Sequence, residues 1–188
     1  ARFVVADDSK IEIRISTSVS HDGAMMDDFK KGEDIHARTA ASIKNIPIDQ
    51  VTPQQRRAAK AVNFGIIYGL GPVGLAQSEG ISRTEAKEFI EKYFSVYGSI
   101  KKWMDETKIS AHKLGYVETL FGRRRYFPDI HSTNHMLQAQ AERQAINAPI
   151  QGTQAAIINV AMIKIDSELP SLIPRSRLTL QVPAEHIL

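Results

Sequence analysis

The chain has 188 residues, 43% of them hydrophobic and 24% charged, with a net charge of +3 and no cysteine. That is enough apolar material for one domain with a core, or for two small lobes sharing one. It excludes disulfide scaffolds and cysteine-ligated zinc, and no run of about 18 apolar residues crosses a membrane.

Residues 1–6 (ARFVVA) are rich in β-branched and aromatic side chains and predict a buried strand inside a domain rather than a signal peptide. Asp7 and Asp8 follow at its end. Ile11, Ile13 and Ile15 alternate with Glu12, Arg14 and Ser16, a pattern that fits strand or helix. Short helices are predicted over 24–31 and 34–44, punctuated by Gly32. Thr52 as cap and Pro53 at the first position start a helix running to about Tyr68 and ending at Gly69. Gly69, Gly71 and Gly74 match a dinucleotide-binding spacing but follow a helix rather than a strand, so they read as a flexible loop.

Ser82 and Glu85 form a capping box for a helix over about 83–96. After Gly98 a further helix runs to Leu114 and Gly115, with Trp103 and Met104 expected in the core. Residues 116–127 predict a hairpin turning at Gly122 and Arg123. Two helices, about 135–147 and 150–169, are expected on either side of Pro149, then a strand over 177–182. His131 and His135 have the spacing of a metal pair without a third ligand, so surface roles are expected. Strand, many helices, strand implies a mixed α/β lobe with a helical insertion.

Basic residues cluster at Arg56, Arg57 and Lys60, at Lys101 and Lys102, and at Arg123–Arg125. Such clusters suit polyphosphate or nucleic acid, although solvated helix faces give the same pattern. The helix at 53–69 is more specific. Arg56, Lys60, Phe64 and Tyr68 recur every four residues, so they lie about 40° apart on one slowly drifting stripe. Each step rises about 6 Å, which sets the two cations at about 6 and 12 Å from Phe64, the nearer aromatic. That is the separation of a triphosphate from its base: phosphate binding at one end, base stacking at the other. Core packing of Phe64 and Tyr68 would produce the same spacing.

The segment Arg56-Arg57-Ala58-Ala59-Lys60-Ala61-Val62-Asn63-Phe64-Gly65-Ile66-Ile67-Tyr68-Gly69 resembles the fingers-helix motif of family A DNA polymerases, the bacterial polymerase I type. The resemblance implies that Arg56 and Lys60 hold an incoming deoxynucleoside triphosphate, with Lys60 also catalytic. Phe64 would pack on the nucleotide, and Tyr68 would occupy the template-base position in the open state. Asp7-Asp8-Ser9-Lys10-Ile11-Glu12-Ile13-Arg14 resembles the first palm motif, with aspartate for tyrosine at Asp8 and lysine for glutamine at Lys10. By that match Asp7 is catalytic and binds metal, Asp8 ligates through its carbonyl, and Glu12 excludes a ribose 2′-hydroxyl. Asp34-Ile35-His36 resembles the segment whose histidine touches a phosphate. Residues 141–153 resemble the palm helix region that turns Arg143, Asn147 and Gln151 toward the primer-template minor groove or the active site.

The last palm motif departs from the family. Leu178-Thr179-Leu180-Gln181-Val182 leads directly into Pro183-Ala184-Glu185-His186, and no His-Asp pair follows. The second metal carboxylate is therefore absent from the sequence, and weak or no polymerisation by this polypeptide alone is expected. The expectation is an α/β (α+β) fold. Residues 1–35 would form the first part of a palm with a small antiparallel sheet, 36–132 mostly helical fingers, and 133–188 the second part of the palm. The resemblance implies template-directed synthesis with two Mg²⁺ ions, acting on primer-template DNA as a monomer. The compartment would be cytoplasmic and nucleoid-associated, or an organelle. A non-catalytic nucleotide- or DNA-binding fragment of such an enzyme is the alternative.

Overall fold

In the computed structural model, residues 10–178 are described. Asp7, Asp8, the expected strand over residues 1–6 and most of the expected strand over 177–182 lie outside them, while Arg177 and Leu178 have no regular structure. Eight helices, two strands and two short 3₁₀ turns make up the described residues: α1 (Ile11–Ser20), α2 (Gly23–Lys30), α3 (Ile35–Lys44), α4 (Pro53–Gly65), α5 (Pro72–Glu79), α6 (Arg83–Val96), α7 (Gly98–Leu114), β1 (Tyr116–Glu118), β2 (Arg124–Tyr126) and α8 (His135–Leu172).

The stretch with alternating isoleucines is a helix. Ile13 and Ile15 are buried, and Ser16 and Thr17 turn their hydroxyls back to the Ile13 carbonyl at 2.9 and 2.6 Å. Side chains that look polar in sequence thus satisfy themselves on the buried side. Helix starts follow the capping signals. The Thr52 hydroxyl accepts from the Gln55 amide at 3.2 Å, while the Gln55 side chain accepts from the Thr52 amide at 2.9 Å. Ser82 and Glu85 repeat this arrangement at 3.1 and 2.9 Å.

Three expectations need correction. α4 ends at Gly65, not Tyr68, because the chain tightens: Tyr68 N donates to Gly65 O and Gly69 N to Ile66 O, both at 3.0 Å. A tightened turn advances about 120° per residue, so Tyr68 leaves the stripe begun by Arg56. The glycine-rich segment is not a loop throughout. Gly71 caps α5, whose first residues are Pro72, Val73 and Gly74. And α8 runs unbroken through Pro149. Proline removes one backbone donor, but the buried neighbours Ala145, Ile146, Ala148 and Ile150 pin both halves into the core.

The main core lies among α1–α7, with Met25, Leu75, Tyr93 and Tyr97 at its centre. A second cluster joins α7, β1 and α8 through Ala111, Val117, Phe127 and Ala145. A third joins α1, the turn after α4, and α8, where Ile15, Ile67 and Ile150 pack with Tyr68 and Trp103 alongside. Trp103 and Met104 are half-buried at the edges of these clusters, while His131 and His135 are exposed. The hairpin pairs antiparallel, Tyr116 with Tyr126 and Glu118 with Arg124.

Candidate nucleotide and DNA site

The N-terminus of α3 and the first turn of α4 meet around Asp34. One carboxylate oxygen caps α3, accepting from the amides of His36 and Ala37 at 2.9 and 3.1 Å. The other accepts from Arg56 Nε and Nη2 at 3.1 and 2.7 Å. Burial alone would raise the Asp34 pKa, but the Arg56 and backbone hydrogen bonds outweigh it and hold it at about 2. Arg56 is thereby tied to the start of α3. Lys60, one turn further along α4, is exposed and makes no ion pair among the described residues.

His36 is buried, contrary to the surface position its place at a helix start suggests. Burial pushes its pKa down to about 4, opposed by the Asp34 charge and reinforced by Lys10, Arg56 and Lys60. The ring is neutral at pH 7, and its Nδ1 lies 3.1 Å from the Asn63 side-chain amide. An amide nitrogen only donates, so Nδ1 accepts and the proton sits on Nε2. Phe64 packs against the same ring, centroids 5.6 Å apart. Asn63 also donates to the Thr39 hydroxyl at 3.0 Å, and the Tyr97 hydroxyl donates to Asp28 at 2.9 Å while lying 3.4 Å from Thr39. This buried polar chain ties α2, α3, α4 and the start of α7 together. Sequence reasoning quoted Asn63 only as part of a motif and missed Thr39, Tyr97 and Asp28. The available signal for Asp34 was an aspartate directly before an apolar helix start.

At the far end of α4, the Tyr68 hydroxyl donates to the buried Glu12 carboxylate at 2.5 Å. Gly69 follows with φ +76°, and a Cβ there would stand 2.6 Å from Cγ and Cδ of Arg143. Arg143 therefore lies flat on the turn, which only glycine permits. A cleft of about 320 Å³ opens here, lined by Gly69, Leu70, Pro72, Phe94, Glu142 and Arg143. Asn147 and Gln151 continue the Arg143 stripe along α8, both half-buried. The Asn147 Oδ1 is buried without a hydrogen-bond partner among the described residues.

The predicted residues thus fall into two groups. Arg56, His36 and Phe64 converge on one side of α4, with the Lys60 charge acting on His36, and Glu12 meets Tyr68 at its end, where Arg143 packs on Gly69. Asn147 and Gln151 lie further along α8, and Asp7 and Asp8 are outside the described residues. Among the described residues, no three His, Asp or Glu side chains converge on a metal position, and no helix is long and apolar enough to cross a membrane.

The family model for DNA polymerase family A matches residues 1–188. The chain belongs to DNA polymerase family A. It is 43% identical over 187 residues to DNA polymerase I of Pseudomonas aeruginosa, covering 100% of this chain and 20% of that protein. It is 48% identical over 183 residues to DNA polymerase I of Bacillus caldotenax, covering 97% and 21%. Its fold is similar to the POL domain of Pol1 from M. smegmatis in complex with DNA primer-template and dNTP, with TM-score 0.87, 44% identity, and coverage of 93% of this chain and 31% of that one. The chain therefore spans about a fifth of the length of these curated relatives. The family resemblance and the mixed α+β class with a small antiparallel sheet are both borne out.

Proposed function

We propose that this segment binds an incoming deoxynucleoside triphosphate for template-directed DNA synthesis, with primer-template DNA along α8. The observation that carries the reading is the convergence of Arg56, His36 and Phe64 where α3 meets α4, with the Lys60 charge near enough to act on the His36 ring. Two guanidinium or ammonium cations and a neutral imidazole with its proton on Nε2 suit phosphate oxygens. The Phe64 ring beside them suits a base or sugar. Glu12 would discriminate against a ribose 2′-hydroxyl, and Tyr68, hydrogen-bonded to it, would have to release that bond to leave the template position. Arg143, Asn147 and Gln151 carry donors and acceptors of the kind suited to the minor groove. The division into palm (1–35), fingers (36–132) and palm (133–188) belongs to the same proposal, as do a monomeric state and a nucleoid-associated cytoplasmic location.

Mg²⁺ would supply charge neutralisation and nucleophile activation when bound. Its proposed ligands are Asp7 and Asp8, the former being the catalytic carboxylate. Lys60 is the proposed catalytic cation on the triphosphate.

A second reading, binding without catalysis, is favoured by one observation. Within these 188 residues Val182 leads into Pro183-Ala184-Glu185 instead of a His-Asp pair, which leaves Asp7 as the candidate metal carboxylate, with Asp8 ligating through its carbonyl. Two measurements separate the readings. Equilibrium binding of a labelled deoxynucleoside triphosphate to the wild type and to Lys60→Ala tests the site; equal affinity would refute it. Primer extension with Mg²⁺ and four deoxynucleotides tests catalysis, and its absence alongside Lys60-dependent binding selects the second reading.

A further inference from the structure

Behind the His36 ring runs a chain of hydrogen bonds whose direction is fixed from one end. Thr39 is fully buried, Asn63 is 1% exposed and His36 is 3% exposed, so water does not stand in for a missing partner. The Thr39 hydroxyl has a single proton, and the Ile35 carbonyl one turn back along α3 takes it at 2.8 Å. Toward α4 the same oxygen then only accepts. The Asn63 atom 3.0 Å from it is therefore the amide nitrogen. The Asn63 carbonyl oxygen lies 3.4 Å away, too far to compete for the hydroxyl proton. Tyr97 leaves this order undisturbed, because its hydroxyl gives its own proton to Asp28 at 2.9 Å.

That orientation is passed on to the histidine. One Asn63 amide hydrogen goes to Thr39, and the other points at His36 Nδ1, 3.1 Å away, which must present a lone pair. A proton on Nδ1 would set two donors face to face in a dry interior, leaving a buried polar group unmet. Phe64 packs against the ring with centroids 5.6 Å apart, which opposes its turning over. Nε2, on the far edge, makes no hydrogen bond among the described residues and is not sealed in the interior. It is left to carry the ring proton. An Asn63 amide turned by a half-rotation would reverse the outcome: its carbonyl would draw the proton to Nδ1, and a bare Nε2 lone pair would repel phosphate oxygens.

We infer that Asn63 is a positioning residue for triphosphate binding: oriented by Thr39 and the Ile35 carbonyl, it holds His36 as a neutral ring whose Nε2–H donates to a phosphate oxygen. The inference rests on the reading of the α3–α4 junction as a triphosphate site. Asn63 is itself shielded from any ligand, so its effect on binding passes through His36.

The test joins nitrogen NMR of the protein labelled at histidine with equilibrium binding of a labelled deoxynucleoside triphosphate. In the wild type at neutral pH, the His36 ring, assigned by its loss in His36→Phe, is expected to show a bare Nδ1 and a protonated Nε2. Thr39→Val, of matched shape, frees the Asn63 amide to turn and should mix the two tautomers. Thr39→Ser keeps the hydroxyl and should restore the wild-type pattern. Asn63→Leu is expected to weaken triphosphate binding about tenfold, the scale of one hydrogen bond to a charged group, and His36→Phe by as much. In the His36→Phe background, Asn63→Leu should cost nothing more, because the two act as one unit. Losses that multiply in the double variant overturn the inference, as does a Thr39→Val ring unchanged from wild type. A wild-type ring protonated on Nδ1 overturns it without recourse to any Asn63 or Thr39 variant, so a variant that fails to fold does not shield it. Lys60-dependent binding that neither Asn63→Leu nor His36→Phe alters overturns the inference and leaves the triphosphate site standing. A wild type that binds no triphosphate overturns both.

Discussion

Acidification is a direct probe of the α3–α4 junction, because His36 is buried next to three cations and titrates at about 4 rather than 6.5. The folded state then takes up its proton later than the unfolded chain. A depressed pKa contributes stability that is present above the unfolded value and lost as pH falls toward the folded one. With those two values, lowering the pH from about 7 to about 5 removes about 2 kcal/mol of stability through this residue alone. Asp34 does not mask the effect: its pKa is also lowered, to about 2, so its contribution is lost only further into acid. The assay is urea denaturation followed by circular dichroism at the two pH values, for wild type and His36→Gln. Glutamine keeps an acceptor for Asn63 and does not titrate, so the pH dependence should flatten in that variant even if its stability at neutral pH is lower. A wild-type loss below about 0.5 kcal/mol, or the same slope in His36→Gln, would refute the reasoning.

Tyr97→Phe removes a donor from the buried Asp28 carboxylate and should cost about 2 kcal/mol, measurable by chemical denaturation. Gly69→Ala places a methyl on Arg143 in a left-handed backbone; a stability loss of about 1–3 kcal/mol and displacement of the Arg143 side chain are expected, readable from denaturation and a crystal structure. Ser82→Ala dismantles the α6 capping box and should cost about 1 kcal/mol, with Ser82→Asp restoring most of it in thermal melts.

Local signals carried most of the fold because they are local physics. A threonine or serine three residues before a glutamine or glutamate fixes where α4 and α6 begin, whatever surrounds them. The hairpin was legible for the same reason, since its turn glycine and flanking β-branched and aromatic residues act over a few positions. What depended on partners distant in sequence was not legible. The start of α1 reads equally as strand until Ile150 and Ile67 are seen packed against Ile15. The continuity of α8 through Pro149 depends on neighbouring elements, and the tightened turn that removes Tyr68 from the stripe depends on Leu70 folding back over Gly65. In the candidate site the motif named the α4 side chains but not their supports. Asp34 under Arg56 and Asn63 under His36 act across 22 and 27 residues of chain, a separation no periodicity reports.

The grip of Asp34 on Arg56 has a consequence for ligand discrimination. A carboxylate held on the same scaffold is a tethered competitor, present at a high effective concentration whenever the site is empty. On the proposed reading, any anion seeking that guanidinium must displace it, so weakly charged ligands such as nucleosides or monophosphates gain little there. A triphosphate brings enough charge to win the exchange. On the same reading the tether would recapture Arg56 as the polyphosphate leaves, which would speed departure and reset the helix for the next ligand.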